Sequence, residues 1–269
     1  MSRVDGIDEF IQVGMSAAKD AGALLRERFN TRFSVERKGV INLVTEVDVA
    51  AEKLIVSRIR GAFADHEILA EEGHGGGEGD SVRWIVDPLD GTTNYAHGYP
   101  VFAVSIGLQI DGEVEWGAVY DPTREELFTA RRGAGAWLND VPLRVSETAA
   151  LGESLLATGF PYDIRTGPRK NLAEFSAFAV RTHGIRRGGS AALDLCYVAA
   201  GRLDGFWEHN LRPWDCAAGY LAVREAGGIV TDYRGNHGLI YVSETLASNG
   251  LIHEEMKAVL AKHMETAWR

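Results

Sequence analysis

The stretch Trp84-Ile85-Val86-Asp87-Pro88-Leu89-Asp90-Gly91-Thr92-Thr93-Asn94 is where the pattern of this chain turns from core to chemistry. Three apolar residues read as a buried strand, two carboxylates follow three positions apart, and Gly91-Thr92 reads as a turn that opens a helix. A strand that ends in two aspartates and a glycine turn suits hard cations beside a phosphate. Carboxylate oxygens match Mg²⁺, which keeps part of its water shell and completes its coordination on substrate phosphate. The same residues also fit a solvated Asp-Pro/Asp-Gly turn, and Asp-x-x-Asp alone does not separate the two.

Working outward, further acids fall where an element meets a loop. Glu71 and Glu72 follow the short strand pattern Glu67-Ile68-Leu69-Ala70 and precede a Gly-rich stretch over residues 73–79. Asp48 lies in Leu43-Val44-Thr45-Glu46-Val47-Asp48, with Thr45 placed to cap a helix. Asp215 ends Arg212-Pro213-Trp214-Asp215, just ahead of an apolar helical run. Each has a plain alternative: a solvated loop edge for Glu71-Glu72 (and a surface hairpin for the glycines), a first-turn acid favoured by the helix dipole for Asp48, an N-cap for Asp215.

The rest of the pattern predicts alternating helices and strands with antiparallel pieces. Helical periodicity covers residues 7–29, where Ile7, Phe10, Ile11, Met15, Ala18, Leu24 and Leu25 make an apolar stripe, and residues 46–63, 172–180, 191–200, 216–226 and 253–263. Strands are expected over 101–110, 114–120, 127–130, 154–158, 205–208 and 228–231. Asp111-Gly112 is a two-residue hairpin signal. Residues 133–142 read as turns with Asn139-Asp140 at a tip.

Composition is that of a folded globular protein: 269 residues, 45% hydrophobic and 25% charged, so one large domain or two closely packed lobes is expected. A formal net charge of −10 argues against a broad nucleic-acid-binding face, leaving room for a local basic pocket such as Arg186-Arg187. Cys196 and Cys216 read as buried free thiols. No apolar run spans a membrane and no signal-peptide core is evident, so a cytoplasmic location is the default expectation. Trp207 and Trp214 are expected in the core. His97, His183 and His209 lack metal-ligand spacing and are read as pocket-rim or surface residues.

Taken together, the blocks resemble the inositol monophosphatase family of the lithium-sensitive, Mg²⁺-dependent phosphatase superfamily. The residues that carry the resemblance are Leu43-Val44-Thr45 with Asp48, Ala70-Glu71-Glu72, the run from Trp84 to Asn94, Gly188-Gly189-Ser190-Ala191-Ala192, and Trp214-Asp215 followed by Glu225-Ala226-Gly227-Gly228. Their order and approximate spacing match from about Lys38 to Gly228, and the part from Gly189 to Gly228 is most similar to bacterial inositol monophosphatases. The resemblance implies an α/β fold, a layered α-β-α-β-α sandwich with the site between two lobes. Residues 1–140 would carry most metal ligands, and residues 141–269 substrate recognition and the last metal aspartate.

It also implies a chemistry. A small phosphate monoester carries about two negative charges. Two or three Mg²⁺ ions, for which Mn²⁺ can substitute and with which Li⁺ interferes, would neutralise that charge and activate water. Glu71, Asp87 and the Leu89 carbonyl would hold one ion, and Asp87, Asp90 and Asp215 the second. Asp48 and Thr92 would orient the water with Glu71, while the N–H groups of Gly91 and Thr92 face the phosphate. Gly189, Ser190 and Ala191 would meet the alcohol together with Asp215, and Glu208 would accept hydrogen bonds from ring hydroxyls. Lys38 corresponds to a family lysine on a mobile loop that is one residue shorter here. The expected substrate is inositol 1-phosphate; histidinol phosphate, fructose 1,6-bisphosphate and NADP share the scaffold. No nucleic acid or membrane partner is expected. A homodimer is implied, and an interaction protein retaining the phosphatase site is the alternative of another class.

Overall fold

The computed structural model describes residues 6–37, 43–76, 81–237 and 240–264. In chain order the elements are α1 (Ile7–Arg28), β1 (Val35–Arg37), β2 (Leu43–Thr45), α2 (Glu46–Ala62), β3 (Glu67–Ala70), β4 (Val82–Asp90), α3 (Thr92–Ala96), β5 (Ala103–Ile110), β6 (Glu113–Asp121), β7 (Glu126–Arg131), β8 (Gly135–Leu138) and β9 (Val141–Pro142). There follow β10 (Leu155–Thr158), α4 (Leu172–Ala179), β11 (Gly184–Arg186), α5 (Ala191–Ala199), β12 (Gly205–His209), α6 (Pro213–Glu225), β13 (Ile229–Thr231), β14 (Glu244–Ser248) and α7 (His253–Met264). The larger sheet runs β3-β4-β5-β6-β7-β8-β9 and the smaller β11-β10-β12-β14-β13.

Period-two alternation assigns the layers. In β4, Trp84 and Val86 join the core under α1 and α2, whereas Ile85 joins the core shared with α5 and α6. In β12, Phe206 faces that same central core and Trp207 faces the outer one, with Phe178 of α4 and Met256 and Leu260 of α7. The order α1/α2, large sheet, α5/α6, small sheet, α4/α7 is the five-layer sandwich. Close approach at its centre depends on small residues. A Cβ at Gly117 of β6 would come within 2.7 Å of Ala218 Cα in α6.

Three local expectations are corrected. Along α1 the buried line consists of Ile7, Gly14, Ala17, Ala18, Ala21, Gly22 and Leu25, so Ile7, Ala18 and Leu25 of the expected stripe are buried while Phe10, Ile11, Met15 and Leu24 are only partly covered; a Cβ at Gly14 would meet the Trp116 ring at 2.5 Å. Residues 133–142 are not merely turns, since β8 and β9 form a hairpin across Asn139-Asp140, both at positive φ. Strands β11 and β14 were not expected at all, and β14 is the partner of both β12 and β13. The Asp111-Gly112 hairpin is present with positive φ at both residues, as the turn's twist requires. Cys196 and Cys216 are buried free thiols.

Candidate active site

Asp87 and Asp90 lie in the last four residues of β4, which ends at Asp90. Three residues apart, they would point to opposite faces of a regular strand. The pairing with β5 shifts here, with Asp87 opposite Ser105 and Asp90 opposite Ala103, so β4 carries one extra residue. This β-bulge brings both carboxylates to the α5/α6 side. Pro88 sits within it, past Val86 where the pairing with β3 ends, so its missing N–H removes no bond to β3. Gly91 turns the chain at φ 100° and caps α3; a Cβ there would lie 2.9 Å from the Val101 carbonyl oxygen. Thr92 is thus the first helical residue. With five residues, α3 offers free N–H groups more than a developed dipole.

Behind Thr92 stands α2. Thr45 caps it, and the buried Asp48 closes the capping box through Thr45 N at 2.9 Å and a short bond from Thr45 Oγ1. Thr92 Oγ1 lies 2.9 Å from Asp48 Oδ1 and 3.1 Å from the Leu89 carbonyl oxygen. Burial raises the Asp48 pKa, and the bonds from Thr45 and Thr92 oppose the rise. Four residues on, fully buried Glu52 accepts from Glu72 N at 2.7 Å and His74 N at 2.8 Å, and pairs with His74 Nδ1 at 2.8 Å. These bonds pin the turn that carries Glu71. Gly76 pairs back onto Ile68, as in a hairpin; residues 77–80 lie outside the described residues.

The second half of the site comes from α5 and α6. Asp90 Oδ2 accepts from Ser190 Oγ at 2.5 Å and from Ala192 N at 2.8 Å. Asp215 is the third residue of α6, not its cap, and Asp215 Oδ2 accepts from Arg212 N at 2.7 Å. Asp87 Oδ1 accepts from Leu89 N at 2.9 Å. In each aspartate one oxygen is fixed to the fold and the other stands outside these bonds.

Two adjoining pockets result. One is lined by Glu71, Asp87, Leu89, Asp90, Gly91, Thr92 and Asp215, together with Trp214 and Tyr162. The other is lined by Asp90, Gly91, Gly189, Ser190, Ala191, Glu208 and Asp215, together with Arg187, Asp194 and Tyr162. Asp48 lines neither and stands behind Thr92. Trp207 is core, as expected, whereas Trp214 is only half-buried. His97 and His183 are exposed, but His209 is buried beside the second pocket. Arg187 lines that pocket and Arg186 does not. Lys38 lies outside the described residues. Sequence reasoning missed Asp194, hidden in an apolar helix whose period marks it as core, and Tyr162, whose only signal is Gly159-Phe160-Pro161-Tyr162 directly after a strand.

The carboxylates load one another. Burial, then the charges of Glu71, Asp90 and Asp215, push Asp87 well above the carboxylate range. Burial, then Asp90, does the same to Asp215. Burial lifts Asp90 to about 6 against the Ser190 and Ala192 bonds and Arg187. Among the described residues, Asp87, Asp90 and Asp215 take part in no ion pair, and no three His, Cys, Asp or Glu side chains already form a group that could hold a metal ion. The donors nevertheless fit one in chemistry. They are all oxygen, they repel one another, and each aspartate keeps an oxygen outside its backbone or hydroxyl bonds. Hard divalent cations relieve that repulsion.

Residues 7–269 match the inositol monophosphatase family. The Nus factor SuhB of Pseudomonas aeruginosa is 45% identical over 94% of this chain and 96% of its own length. The inositol-1-monophosphatase of Synechocystis is 46% identical over 95% of this chain and 90% of its own. The structure of an inositol monophosphatase from Anabaena (Nostoc) superposes with a TM-score of 0.87 at 44% identity, covering 96% of this chain and 97% of that one. No helix among the described residues is long and apolar enough to cross a membrane.

Proposed function

The chain belongs to the inositol monophosphatase family of phosphoric monoester hydrolases, and from that premise we propose that it hydrolyses a polyol phosphate, myo-inositol 1-phosphate foremost, with Mg²⁺. The observation that carries the reading is the sharing of Asp90, Gly91 and Asp215 by the two pockets. A phosphoryl group at that junction has the ring of carboxylates on one side and a polar alcohol pocket on the other.

In this reading Glu71, Asp87 and the Leu89 carbonyl hold one cation, and Asp87, Asp90 and Asp215 a second. Bound cations supply charge neutralisation and a lowered pKa for the attacking water. The protein's own part is positioning. Thr92 Oγ1, donating to Asp48 Oδ1, turns a lone pair toward the water, and Glu71 takes the water's other hydrogen. The N–H groups of Gly91 and Thr92 hold phosphate oxygens. Gly189, Ser190 and Ala191 wall the alcohol, and Glu208 accepts from a ring hydroxyl. The division of labour places metal holding mainly in residues 1–140 and alcohol recognition in 141–269.

Steady-state rates on inositol 1-phosphate, histidinol phosphate, fructose 1,6-bisphosphate and NADP, with Mg²⁺, with Li⁺ added and with EDTA, test the reading. Highest kcat/KM on the inositol ester, loss with EDTA and inhibition by Li⁺ are expected. Full turnover in metal-free buffer, or preference for another ester, overturns it. A second reading, an interaction role beside the phosphatase site, is favoured by the relative named a Nus factor. Pull-down with Asp90→Asn tests whether partner binding persists without hydrolysis.

A further inference from the structure

Asp194 is the one carboxylate of the alcohol pocket that the resemblance leaves without a role. It sits in the first turn of α5, is 4% exposed and lines the pocket with Glu208, Arg187 and Ser190. No N–H or O–H of the described residues donates to it, in contrast to Asp48, Asp87, Asp90 and Asp215. A buried carboxyl without a donor is costly unless something else supplies one. The fold makes room for this one, since a Cβ at Gly188 would stand 2.8 Å from Asp194 Oδ1. Glu208 is accommodated in the same way by Gly159, where a Cβ would fall 2.2 Å from its carboxylate oxygens. Two glycines therefore seat two carboxyls around one cavity.

We infer that Asp194 is a specificity-determining residue that accepts a hydrogen bond from a second hydroxyl of the alcohol, so that with Glu208 it selects a substrate carrying at least two hydroxyls beyond the ester oxygen. The inference deepens the phosphatase reading and rests on it. Chemistry within the pocket favours hydroxyls over an ammonium group. Arg187 lines the same cavity and its charge bears on both Asp194 and Glu208. A guanidinium repels a cation but donates to a hydroxyl, and a hydroxyl both donates and accepts. Burial raises both carboxyls, and the Asp194 charge raises Glu208 further, so the pair gains from donors brought in by the substrate.

Asp194→Asn keeps the shape and removes the charge and one acceptor. Wild type, Asp194→Asn, Glu208→Gln and the double variant are compared on myo-inositol 1-phosphate, on cyclohexyl phosphate, which has the same ring without hydroxyls, and on ethanolamine phosphate. The expected result for Asp194→Asn is a fall in kcat/KM of about tenfold or more on the inositol ester, a change under about twofold on cyclohexyl phosphate, and an unaltered Mg²⁺ requirement. The melting temperature should hold or rise, because a buried carboxyl without a donor is gone. Equal losses on the inositol and cyclohexyl esters, a shifted Mg²⁺ requirement or a lower melting temperature would assign Asp194 to the scaffold and overturn the inference. So would a larger loss on ethanolamine phosphate, which would make the pair an ammonium site. A wild type that cleaves cyclohexyl phosphate but not the inositol ester overturns the inference and leaves the hydrolase standing. One that cleaves none of the three overturns the proposed polyol-phosphate reading, and the inference with it.

Discussion

Removing the Thr92 hydroxyl should separate chemistry from metal binding. Thr92 is buried and touches two things that matter, Asp48 Oδ1 at 2.9 Å and the Leu89 carbonyl oxygen at 3.1 Å. Thr92→Ala leaves every proposed metal carboxylate in place. Asp48 keeps its two bonds from Thr45, so the stability cost should be about 1–2 kcal/mol, at the low end for a bond to a buried charged group. That is roughly 2–4 °C in Tm per kcal/mol for a chain of this size. The catalytic cost should be larger, about 10²-fold or more in kcat, the scale of losing a positioned proton-transfer group and equal to about 2.7 kcal/mol of barrier. Thr92→Ser restores the hydroxyl and should recover most of the rate. The assay is kcat with saturating ester across a Mg²⁺ titration, with thermal melts in parallel. If Thr92→Ala turned over within a few-fold of wild type, or Thr92→Ser were as slow as Thr92→Ala, the relay from Asp48 would not exist. A large rise in the Mg²⁺ needed for half activity would move Thr92 from the water to the metals.

Other consequences are as direct. Asp215→Asn should raise the half-saturating Mg²⁺ about tenfold or more while Thr92→Ala does not; identical titration curves for the two would refute the division of roles. Glu52→Gln keeps one acceptor of the three-bond clasp on Glu72 and His74 and should raise the Mg²⁺ requirement several-fold at saturating ester with kcat largely recovered at high Mg²⁺; an unchanged titration would mean that the turn seats Glu71 without it. Glu208→Gln should cost about 1–3 kcal/mol in kcat/KM on inositol 1-phosphate and little on p-nitrophenyl phosphate, with equal losses on both counting against alcohol recognition. In chelated protein, Asp90 is raised to about 6 and Glu208 to about 8, so the folded state holds more protons than the unfolded one between these values and the ordinary carboxylate range. Their contribution is fully present below pH of about 4 and is lost as pH rises through about 6 and then about 8. Melting temperature without divalent cations should therefore fall from mildly acidic to mildly alkaline pH, and added Mg²⁺ should restore more at the alkaline end; a chelated melt that rises with pH would contradict the burial of these groups.

How much of this could be read from the chain differs by residue. Helix caps and hairpins are local, so Thr45 with Asp48 and Asp111-Gly112 were legible from a few positions. The five layers followed from resemblance; the alternation of Ile85 against Trp84 and Val86 explains them only once the partners are known. The bulge at Asp87–Asp90 left a trace in Pro88, but the register that defines it belongs to β5. Asp194 was invisible because helical period marks a position as buried and cannot say that what buries it is a cavity wall. Strand β14 was missed because its sequence, Glu244-Thr245-Leu246-Ala247-Ser248, gains its meaning from pairing with β12 and β13. Glu52 hides in the same way, as its two partners, Glu72 and His74, lie twenty or more residues on.

The bond from Ser190 to Asp90 spans 100 positions of sequence, and this bears on how the protein is made. A ribosome delivers Glu71, Asp87 and Asp90 well before Ser190, Ala192 and Asp215. Until those arrive, Asp90 lacks its two donors and the ring of acids lacks a member from α6. A nascent or prematurely terminated chain would thus expose mutually repelling carboxylates with neither the clamp nor the fourth carboxylate. Hydrolysis would begin only after translation had passed α6, so fragments ending short of it should be inert toward phosphate esters whatever else they retain.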